Sequence, residues 1–326
     1  MKVILCTGDS HTEGQGGTGH LGGKAAELGY NHLGKGFPAE NAPDSTCYVG
    51  LLEDYVAENT ASEVKHLDVS KAGEALACFH RLTDFTLSVE SGDLLVIRVS
   101  ECREKSVLCV YVDETLTREI TLQADTTRFG DYSIKLISVP CKDAKQIRLV
   151  CKEGNAYINS AVLWSGEYAL VNCGVGACNC VRYYNEYIDE LIEEFRPHMF
   201  IAECHTINDW LAIKTPEVYG KDLEKLLNKM KENSKCVIAT TVSPIMGSQE
   251  NATSVDFYEN FVTESKKVLE RTGVIAVDSH DEMKKRIGGL SEHEAHSLMY
   301  SDDWHVNDVG HKIYAEKIIE KLKDIL

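Results

Sequence analysis

Two short segments near opposite ends of the chain carry residue types that together could perform acyl transfer. Gly8-Asp9-Ser10-His11 follows an apolar run, Val3–Cys6, that is typical of a buried strand. Asp302-Asp303-Trp304-His305 lies close to the other end. A serine hydroxyl is a weak nucleophile unless a neighbouring base takes its proton and a third group orients that base. The two segments contain all three parts.

The distal segment offers both a base and an orienting group. Asp302 precedes His305 by three residues, so on one helical turn its carboxylate can hydrogen-bond to the imidazole and set the tautomer. Asp303 is a rival, but it lies one residue out of that register. We therefore expect Ser10 to be the nucleophile and His305 the base. Activity should fall on the acid side, near the ordinary histidine pKa of about 6.5.

Two further segments could stabilise the negative charge that develops on the carbonyl oxygen. Asn208 follows the apolar strand Met199–Ala202, and its amide is a suitable neutral donor; loss of one such donor typically costs roughly 3–4 kcal/mol. A glycine lets a backbone N–H approach the oxyanion without a Cβ in the way. Gly176 and Gly73 compete for that role. Gly176 is preferred, because it lies one helix and one strand before Asn208. Taken alone, each segment could also be an ordinary turn or helix cap.

Alternating strands and amphipathic helices surround these segments in residues 1–83 and 167–326. Parallel strands need crossover connections, which helices provide. The pattern predicts a three-layer α/β/α domain of flavodoxin-like type with a five-stranded parallel sheet. The expected strands are Val3–Cys6, Val64–Val69, Met199–Ala202, Cys236–Thr241 and Val274–Val277. The expected helices are Tyr48–Asn59, Val181–Phe195, Val218–Glu232, Phe257–Arg271 and Gly310–Leu326.

The middle of the chain, residues 84–166, has a different pattern. Short segments rich in β-branched residues alternate there with turn signals, which favours an antiparallel sandwich or jelly roll. Because the α/β pattern resumes afterwards, we expect an inserted β-sandwich between two parts of one α/β domain, 1–83 and 167–326. The predicted strands are Leu94–Val99, Val107–Val112, Arg118–Leu122, Tyr132–Val139, Gln146–Cys151 and Ala161–Trp164.

The composition limits the classes of function. With 43% hydrophobic and 26% charged residues, the 326-residue chain is typical of a soluble globular protein. No apolar run approaches the roughly 20 residues that span a bilayer, and no signal peptide fits before the first strand, so a cytoplasmic protein is expected. The net charge of −17, with dispersed lysines, disfavours nucleic acids and anionic membranes as partners.

The cysteines and glycines invite two cofactor interpretations that we do not favour. The 12 cysteines are expected to be reduced and buried, since Cys178-x-Cys180 and Cys204-His205 lack the paired spacing of structural zinc sites. The stretch from Gly14 to Gly19 formally fits a dinucleotide fingerprint. It begins eight residues beyond the strand, however, where that fingerprint needs a tight turn. We expect no metal and no other cofactor, and a glycine-rich loop beside the serine.

The four blocks, in this order, resemble the SGNH (GDSL-type) hydrolase superfamily, in which Ser, Gly, Asn and His of separated blocks form the site. The resemblance implies a triad of Ser10, His305 and Asp302. It implies an oxyanion hole made by the Ser10 amide, the Gly176 amide and the Asn208 side chain. The family's third block usually reads Gly-x-Asn-Asp, whereas Thr206 stands here in place of that glycine. Such a change could reshape the turn that aims the asparagine.

A β-sandwich inserted ahead of the glycine block also resembles the two-domain carbohydrate esterases of this superfamily, including peptidoglycan O-acetylesterases. The resemblance implies a serine esterase that removes a short acyl group, acetyl foremost, from a small-molecule or oligosaccharide ester. A lipid or thioester acylhydrolase with the same triad stays open as an alternative. So does a non-catalytic carbohydrate-binding protein on a hydrolase scaffold. The sequence leaves the sugar, the ester position and the oligomeric state undetermined.

Overall fold

The computed structural model describes residues 1–17, 46–76, 79–102, 104–123, 132–212, 214–246 and 255–326. These residues form two compact units. The antiparallel unit consists chiefly of residues 56–169. The α/β unit contains residues 3–17, 46–55 and 170–326 of the described chain.

The strands in chain order are β1 (Lys2–Gly8), β2 (Ser62–His66), β3 (Ala75–Leu76), β4 (Phe79–Leu82), β5 (Asp84–Ser88), β6 (Leu94–Cys102), β7 (Ser106–Val112), β8 (Thr115–Leu122), β9 (Tyr132–Pro140), β10 (Gln146–Glu153), β11 (Ala156–Gly166), β12 (Tyr168–Gly174), β13 (Met199–Glu203), β14 (Cys236–Thr240) and β15 (Ile275–Val277). The helices are α1 (Ser10–Glu13), α2 (Tyr48–Asn59), α3 (Cys180–Glu186), α4 (Ile188–Phe195), α5 (Thr206–Leu211), α6 (Pro216–Glu232), α7 (Val255–Thr272), α8 (Ser279–Ile287), α9 (Glu292–Met299) and α10 (Asp308–Leu322).

One five-stranded parallel sheet, counted over the described residues, organises the α/β part of the molecule in the order β12-β1-β13-β14-β15. β13 pairs in parallel with β1 and with β14, and β14 pairs in parallel with β15. At β12, Lys2 N donates to Glu167 O and Val175 N donates to Gly8 O, so β12 and β1 run in the same direction. Numbered by their succession along the chain, these strands have the order 2-1-3-4-5. This is the flavodoxin-like order, and it confirms the predicted fold class.

Helices cover this sheet because its strands are apolar on both faces. All five residues of β13 are buried, which is typical of a parallel strand between two helical layers. Helix α6 packs against α3 and α7, whereas α10 packs against α8 and α9. Among the described helices, none combines the length and the apolar character that crossing a bilayer would require.

The structure corrects two predicted elements of the α/β unit. The strand expected at Val64–Val69 lies instead in the antiparallel unit, where Ser62–His66 pairs antiparallel with β11. Its residues alternate between more and less exposed positions, so one face can meet solvent, unlike a strand in the middle of a parallel sheet. The fifth parallel strand is β12. The helix expected over Val181–Phe195 is broken at Tyr187 into α3 and α4.

The antiparallel unit contains two sheets that share one apolar core. One sheet has the order β5-β10-β7-β8; the other has the order β3-β4-β11-β6-β9, with β2 also paired to β11. Buried residues from both sheets, such as Leu149 of β10 and Ile97 of β6, belong to a single hydrophobic cluster. Two sheets that close over one core form a β-sandwich. The compact stretch, residues 56–169, is longer than the predicted 84–166.

Candidate active site

Three of the predicted segments follow neighbouring strands at the carboxyl edge of the parallel sheet. Ser10 comes directly after β1, and Asn208 lies in α5, just after β13. Gly176 follows β12, on the other side of β1. The sheet order reverses at β1, and open α/β sheets bind their ligands at such a switch point. The fold therefore gathers these residues although they are far apart in sequence.

The serine, the histidine and the aspartate form a continuous chain of hydrogen bonds. Ser10 Oγ lies 2.8 Å from His305 Nε2, and His305 Nδ1 lies 2.7 Å from Asp302 Oδ2. Since a carboxylate only accepts, Nδ1 carries the ring proton and Nε2 is left to accept the serine proton. The Ser10 residue is 6% exposed, and the His305 side chain is 12% exposed. A serine nucleophile, its base and an orienting carboxylate require such a geometry, and these roles of Ser10, His305 and Asp302 stay a prediction.

The electrostatics of Asp302 suit an orienting role. Burial raises the pKa of this carboxyl, but the hydrogen bonds and charge of His305 and the backbone N–H of Trp304 together outweigh that effect, and the pKa falls to about 2. Asp302 is therefore ionised at neutral pH. Asp303 turns elsewhere: its carboxylate lies 3.8 Å from His296 Nε2.

The loop that carries the histidine is fixed by its own aspartate. Asp302 Oδ1 accepts from the backbone N–H groups of Trp304 and His305, at 2.8 and 2.7 Å. An isolated β-bridge between Tyr300 and Val306 closes the loop. The expected helical turn at Asp302–His305 is thus a capped loop between α9 and α10. A side chain that binds nearby backbone amides replaces the helical pattern there.

Asp9, the residue before Ser10, contacts Asn208. Its Oδ1 accepts from the His11 backbone N–H at 3.1 Å and caps α1, while its Oδ2 accepts from Asn208 Nδ2 at 2.6 Å. Burial raises the pKa of Asp9, but the side-chain and backbone hydrogen bonds from His11, together with the electrostatic effect of the nearby histidines, overcome that effect and leave the pKa below its ordinary value. One N–H of the Asn208 amide is used by Asp9, and the second stays available as a donor.

The threonine in the third block does not strain the turn that leads to Asn208. His205, one residue earlier, adopts the left-handed conformation, with φ of 54°. Thr206 has no positive φ, and its hydroxyl lies 2.9 Å from the Tyr219 hydroxyl of α6. The left-handed conformation that favours glycine is therefore adopted by His205 and not by residue 206, so a threonine fits at position 206.

The structure places the two candidate glycines in different units. A Cβ on Gly176 would lie 2.6 Å from Glu13 Oε2, one turn after Ser10, so Gly176 closely approaches α1. Gly73 lies in the antiparallel unit, where a Cβ would come within 1.8 Å of the Arg81 carbonyl oxygen. Proximity to α1 favours Gly176, and its role as an oxyanion donor stays a prediction, as does that of the Ser10 amide.

A buried carboxyl that the sequence reasoning missed links the turns after β1 and β13. Glu203 accepts from Asp9 N through Oε2 and from His205 N through Oε1, each at 2.9 Å. Burial, reinforced by the nearby charge of Asp9, raises the pKa of Glu203 well above its ordinary value. Glu203 directly follows the predicted strand Met199–Ala202 and is the last residue of β13. Its only sequence signal is an acidic residue next to an apolar strand.

The remaining histidines near the motifs have structural contacts. His205 Nδ1 lies 2.8 Å from the Cys178 carbonyl oxygen, and His311 Nε2 lies 3.0 Å from the Gln15 carbonyl oxygen. His11 is fully buried between the first and last segments of the site. The expected glycine-rich loop is described only as far as Gly17, so Thr18 and Gly19 lie outside the described residues.

The cysteines of the two segments considered for zinc are buried thiols. Burial raises the pKa values of Cys178, Cys180 and Cys204 well above the ordinary thiol value, which disfavours the thiolate form that binds metals. Over the described part of the chain, no three or more His, Cys, Asp or Glu side chains are arranged to hold a metal ion.

Comparison with known proteins identifies a solved structure of similar fold. No protein-family model and no curated protein sequence matches the chain. The structure is similar to that of a peptidoglycan O-acetylesterase, with a TM-score of 0.54 and 12% identity, over 100% of this chain and 91% of that one. A Bacillus subtilis structural-genomics protein has a TM-score of 0.46 and 13% identity, over 82% and 89%. An acetylxylan esterase from Geobacillus stearothermophilus has a TM-score of 0.39 and 15% identity, over 47% of this chain and 71% of that one.

Proposed function

We propose that this protein is a serine esterase that hydrolyses short acyl esters, acetyl esters of carbohydrates foremost. The observation that carries the proposal is the chain of contacts from Ser10 Oγ through the His305 ring to Asp302, with distances of 2.8 and 2.7 Å. A base within hydrogen-bond reach, itself oriented by a third group, is the arrangement that activates a hydroxyl.

In the proposed reaction, Ser10 Oγ attacks the ester carbonyl carbon while its proton moves to His305 Nε2. Collapse of the tetrahedral intermediate breaks the bond to the alcohol oxygen, which leaves with the proton from His305. Water then attacks the carbonyl carbon of the acyl-serine and gives a proton to the same nitrogen. The second tetrahedral intermediate collapses by breaking the bond to Ser10 Oγ, which takes the proton back from His305 as the carboxylic acid leaves. General-base assistance of this kind contributes roughly 10²–10⁴-fold to the rate.

The oxyanion of the intermediate is assigned to the Ser10 amide, the Gly176 amide and the Asn208 side chain. The contact of Asn208 Nδ2 with Asp9 at 2.6 Å supports this assignment, because it holds the amide beside the nucleophile's neighbour. A donor fixed before the reaction needs no reorganisation as charge develops.

The proposed substrate class rests on the fold. A likeness to a peptidoglycan O-acetylesterase that extends over 100% of this chain, sandwich included, supports an acetylated carbohydrate. The proposal includes a cytoplasmic location, an oligosaccharide or small-molecule ester as substrate, and neither nucleic acid nor membrane as partner. The net charge of −17 supports the exclusion of polyanions.

The test is acetate release from a panel of acetylated oligosaccharides, alongside p-nitrophenyl esters of increasing chain length. We expect acetate release and a preference for acetyl over long-chain esters, both abolished by Ser10→Ala. A strong long-chain preference points instead to a lipid acylhydrolase. Absence of Ser10-dependent hydrolysis with every ester leaves the non-catalytic carbohydrate-binding alternative.

A further inference from the structure

His11, the residue after the proposed nucleophile, faces two separate parts of the site through its two ring nitrogens. Nδ1 lies 3.3 Å from Asp9 Oδ1, and Nε2 lies 3.0 Å from the Trp304 carbonyl oxygen. The ring has no exposed surface. Both partners are acceptors, so the ring donates to both only when both nitrogens carry protons. A single side chain therefore joins the turn after β1 to the loop before α10.

The Asp9 side of this contact continues to Asn208. His11 occupies one oxygen of the carboxylate, and Asn208 Nδ2 donates to the other at 2.6 Å. A carboxylate bound on both oxygens has a fixed plane, and that plane sets the direction of the amide. Without the His11 ring, Asp9 Oδ1 keeps the contact with the backbone N–H at 3.1 Å but loses its side-chain donor.

The Trp304 side of the contact continues to His305. The Trp304 carbonyl belongs to the peptide bond that leads into His305, so a donor on that carbonyl restrains the backbone of the base. The two imidazole rings lie 5.4 Å apart between centroids and are tilted by 41°. Ser243 Oγ, at 3.4 Å from His11 Nε2, and the Tyr314 ring, at 6.0 Å, complete the surroundings.

We propose that His11 is a positioning residue for both halves of the proposed esterase site. It acts through Asp9 on the Asn208 donor and through the Trp304 carbonyl on the His305 base. The inference rests on the proposed function, because it concerns the same reaction. A base or donor displaced by about 1 Å costs roughly 10²-fold in rate without a matching loss of binding.

The test compares His11→Phe, which keeps a ring but removes both hydrogen bonds, with His11→Gln, which keeps a donor. We expect His11→Phe to lower kcat by about 10- to 100-fold with KM within about threefold, and His11→Gln to recover part of that loss. The matched control is His280→Phe. His280 is equally buried, and its ring nitrogens also face acceptors, the Val242 carbonyl and the Glu259 carboxylate.

A second measurement separates positioning from general destabilisation. In an Asn208→Ala background, His11→Phe should lower kcat much less than in the wild type. One of the two contacts through which His11 acts, the one that passes through Asp9 to Asn208, is already lost in that background. Equal losses in both backgrounds, or a kcat loss in His280→Phe that matches that of His11→Phe, would overturn the proposal. If His11→Phe does not fold, His11→Gln serves in the same cycle. An active, Ser10-dependent wild type with unaffected His11 variants refutes this inference alone; an inactive wild type refutes the proposed function as well.

Discussion

At the residue scale, the orienting aspartate gives the sharpest mutational contrast. Asp302 binds His305 Nδ1 at 2.7 Å, whereas its neighbour Asp303 turns to His296. We predict that Asp302→Asn lowers kcat by about 10²- to 10⁴-fold, because the amide no longer enforces the tautomer that accepts the serine proton. Steady-state kinetics measure the effect. The matched control Asp303→Asn should stay near wild type, and an equal loss in both variants contradicts the assignment.

The pH dependence follows from the same pair. With its pKa lowered to about 2, Asp302 stays ionised throughout the range in which a histidine titrates. The acid limb of kcat/KM should therefore reflect one proton, the one that blocks Nε2 of His305. If kcat/KM measured from pH 4 to 8 has no acid limb, or has an acid limb that requires two protons, His305 is not the base.

The residues of the site were predictable to different degrees. Ser10, His305 and Asp302 could be proposed because the spacing within each short segment already implies a role. The Asp9–Asn208 contact and the buried Glu203 were not predicted, since both depend on which strands are neighbours. Sequence spacing reports local geometry, whereas such contacts depend on the order β1–β13 in the sheet.

At the element scale, alanine substitutions at the two candidate glycines should have opposite effects on stability and on kcat. In Gly176→Ala the new Cβ meets the flexible end of Glu13 at 2.6 Å, so stability should change little while kcat falls. In Gly73→Ala it meets the Arg81 backbone carbonyl at 1.8 Å, which must shift. That change should cost about 1–3 kcal/mol of stability and leave kcat largely intact. Thermal unfolding and steady-state kinetics of both variants decide which glycine is the oxyanion donor. If Gly73→Ala lowers kcat and Gly176→Ala lowers only stability, the donor is Gly73.

A contact between the buried His280 and the half-buried Glu259 links α7 to α8 and makes part of the stability depend on pH. The hydrogen bond from His280 lowers the pKa of Glu259 to about 2 from 4.5. A depressed carboxyl pKa stabilises the fold above the unfolded value, and the contribution disappears as pH falls from about 4.5 towards about 2. In Glu259→Gln, the free energy of unfolding should therefore fall less than in the wild type between pH 4.5 and about 2. Urea titrations at each pH measure this free energy.

The control for this prediction lies on the same helix. Glu270 is an exposed residue of α7, so Glu270→Gln should leave the pH dependence of unfolding close to that of the wild type. If the two variants behave alike, the His280–Glu259 contact does not contribute to acid stability.

Most helices and strands could be predicted from the periodicity of hydrophobic residues. Helix α2 has the predicted bounds, Tyr48–Asn59, and the predicted strands of the middle region are present with longer ends. The misassigned strand near Val64 and the break at Tyr187 have a common cause. A short apolar run does not show which sheet it will join, and a helical pattern does not show where packing interrupts it.

At the scale of the whole molecule, the chain leaves the α/β unit after α2 and returns to it at β12. The alternation of helix-rich and strand-rich patterns predicts this organisation, because each pattern reports how a region buries its own core. The sequence could not define where the sandwich begins, since strands β2 to β4 precede the region of dense β-branched residues. Ser10 and His305 are 295 residues apart in sequence, and a hydrogen bond between their side chains joins these distant segments of the chain.

The most direct test of that joining is covalent labelling with a fluorophosphonate, followed by intact-mass and peptide mass spectrometry. We predict one label per chain on Ser10, strongly slowed in His305→Ala and absent in Ser10→Ala, because only the activated hydroxyl attacks the phosphorus. The Asp303→Asn protein should react like the wild type. No label on Ser10 in the folded wild type, or labelling at an equal rate in His305→Ala, would contradict the proposed nucleophile and base.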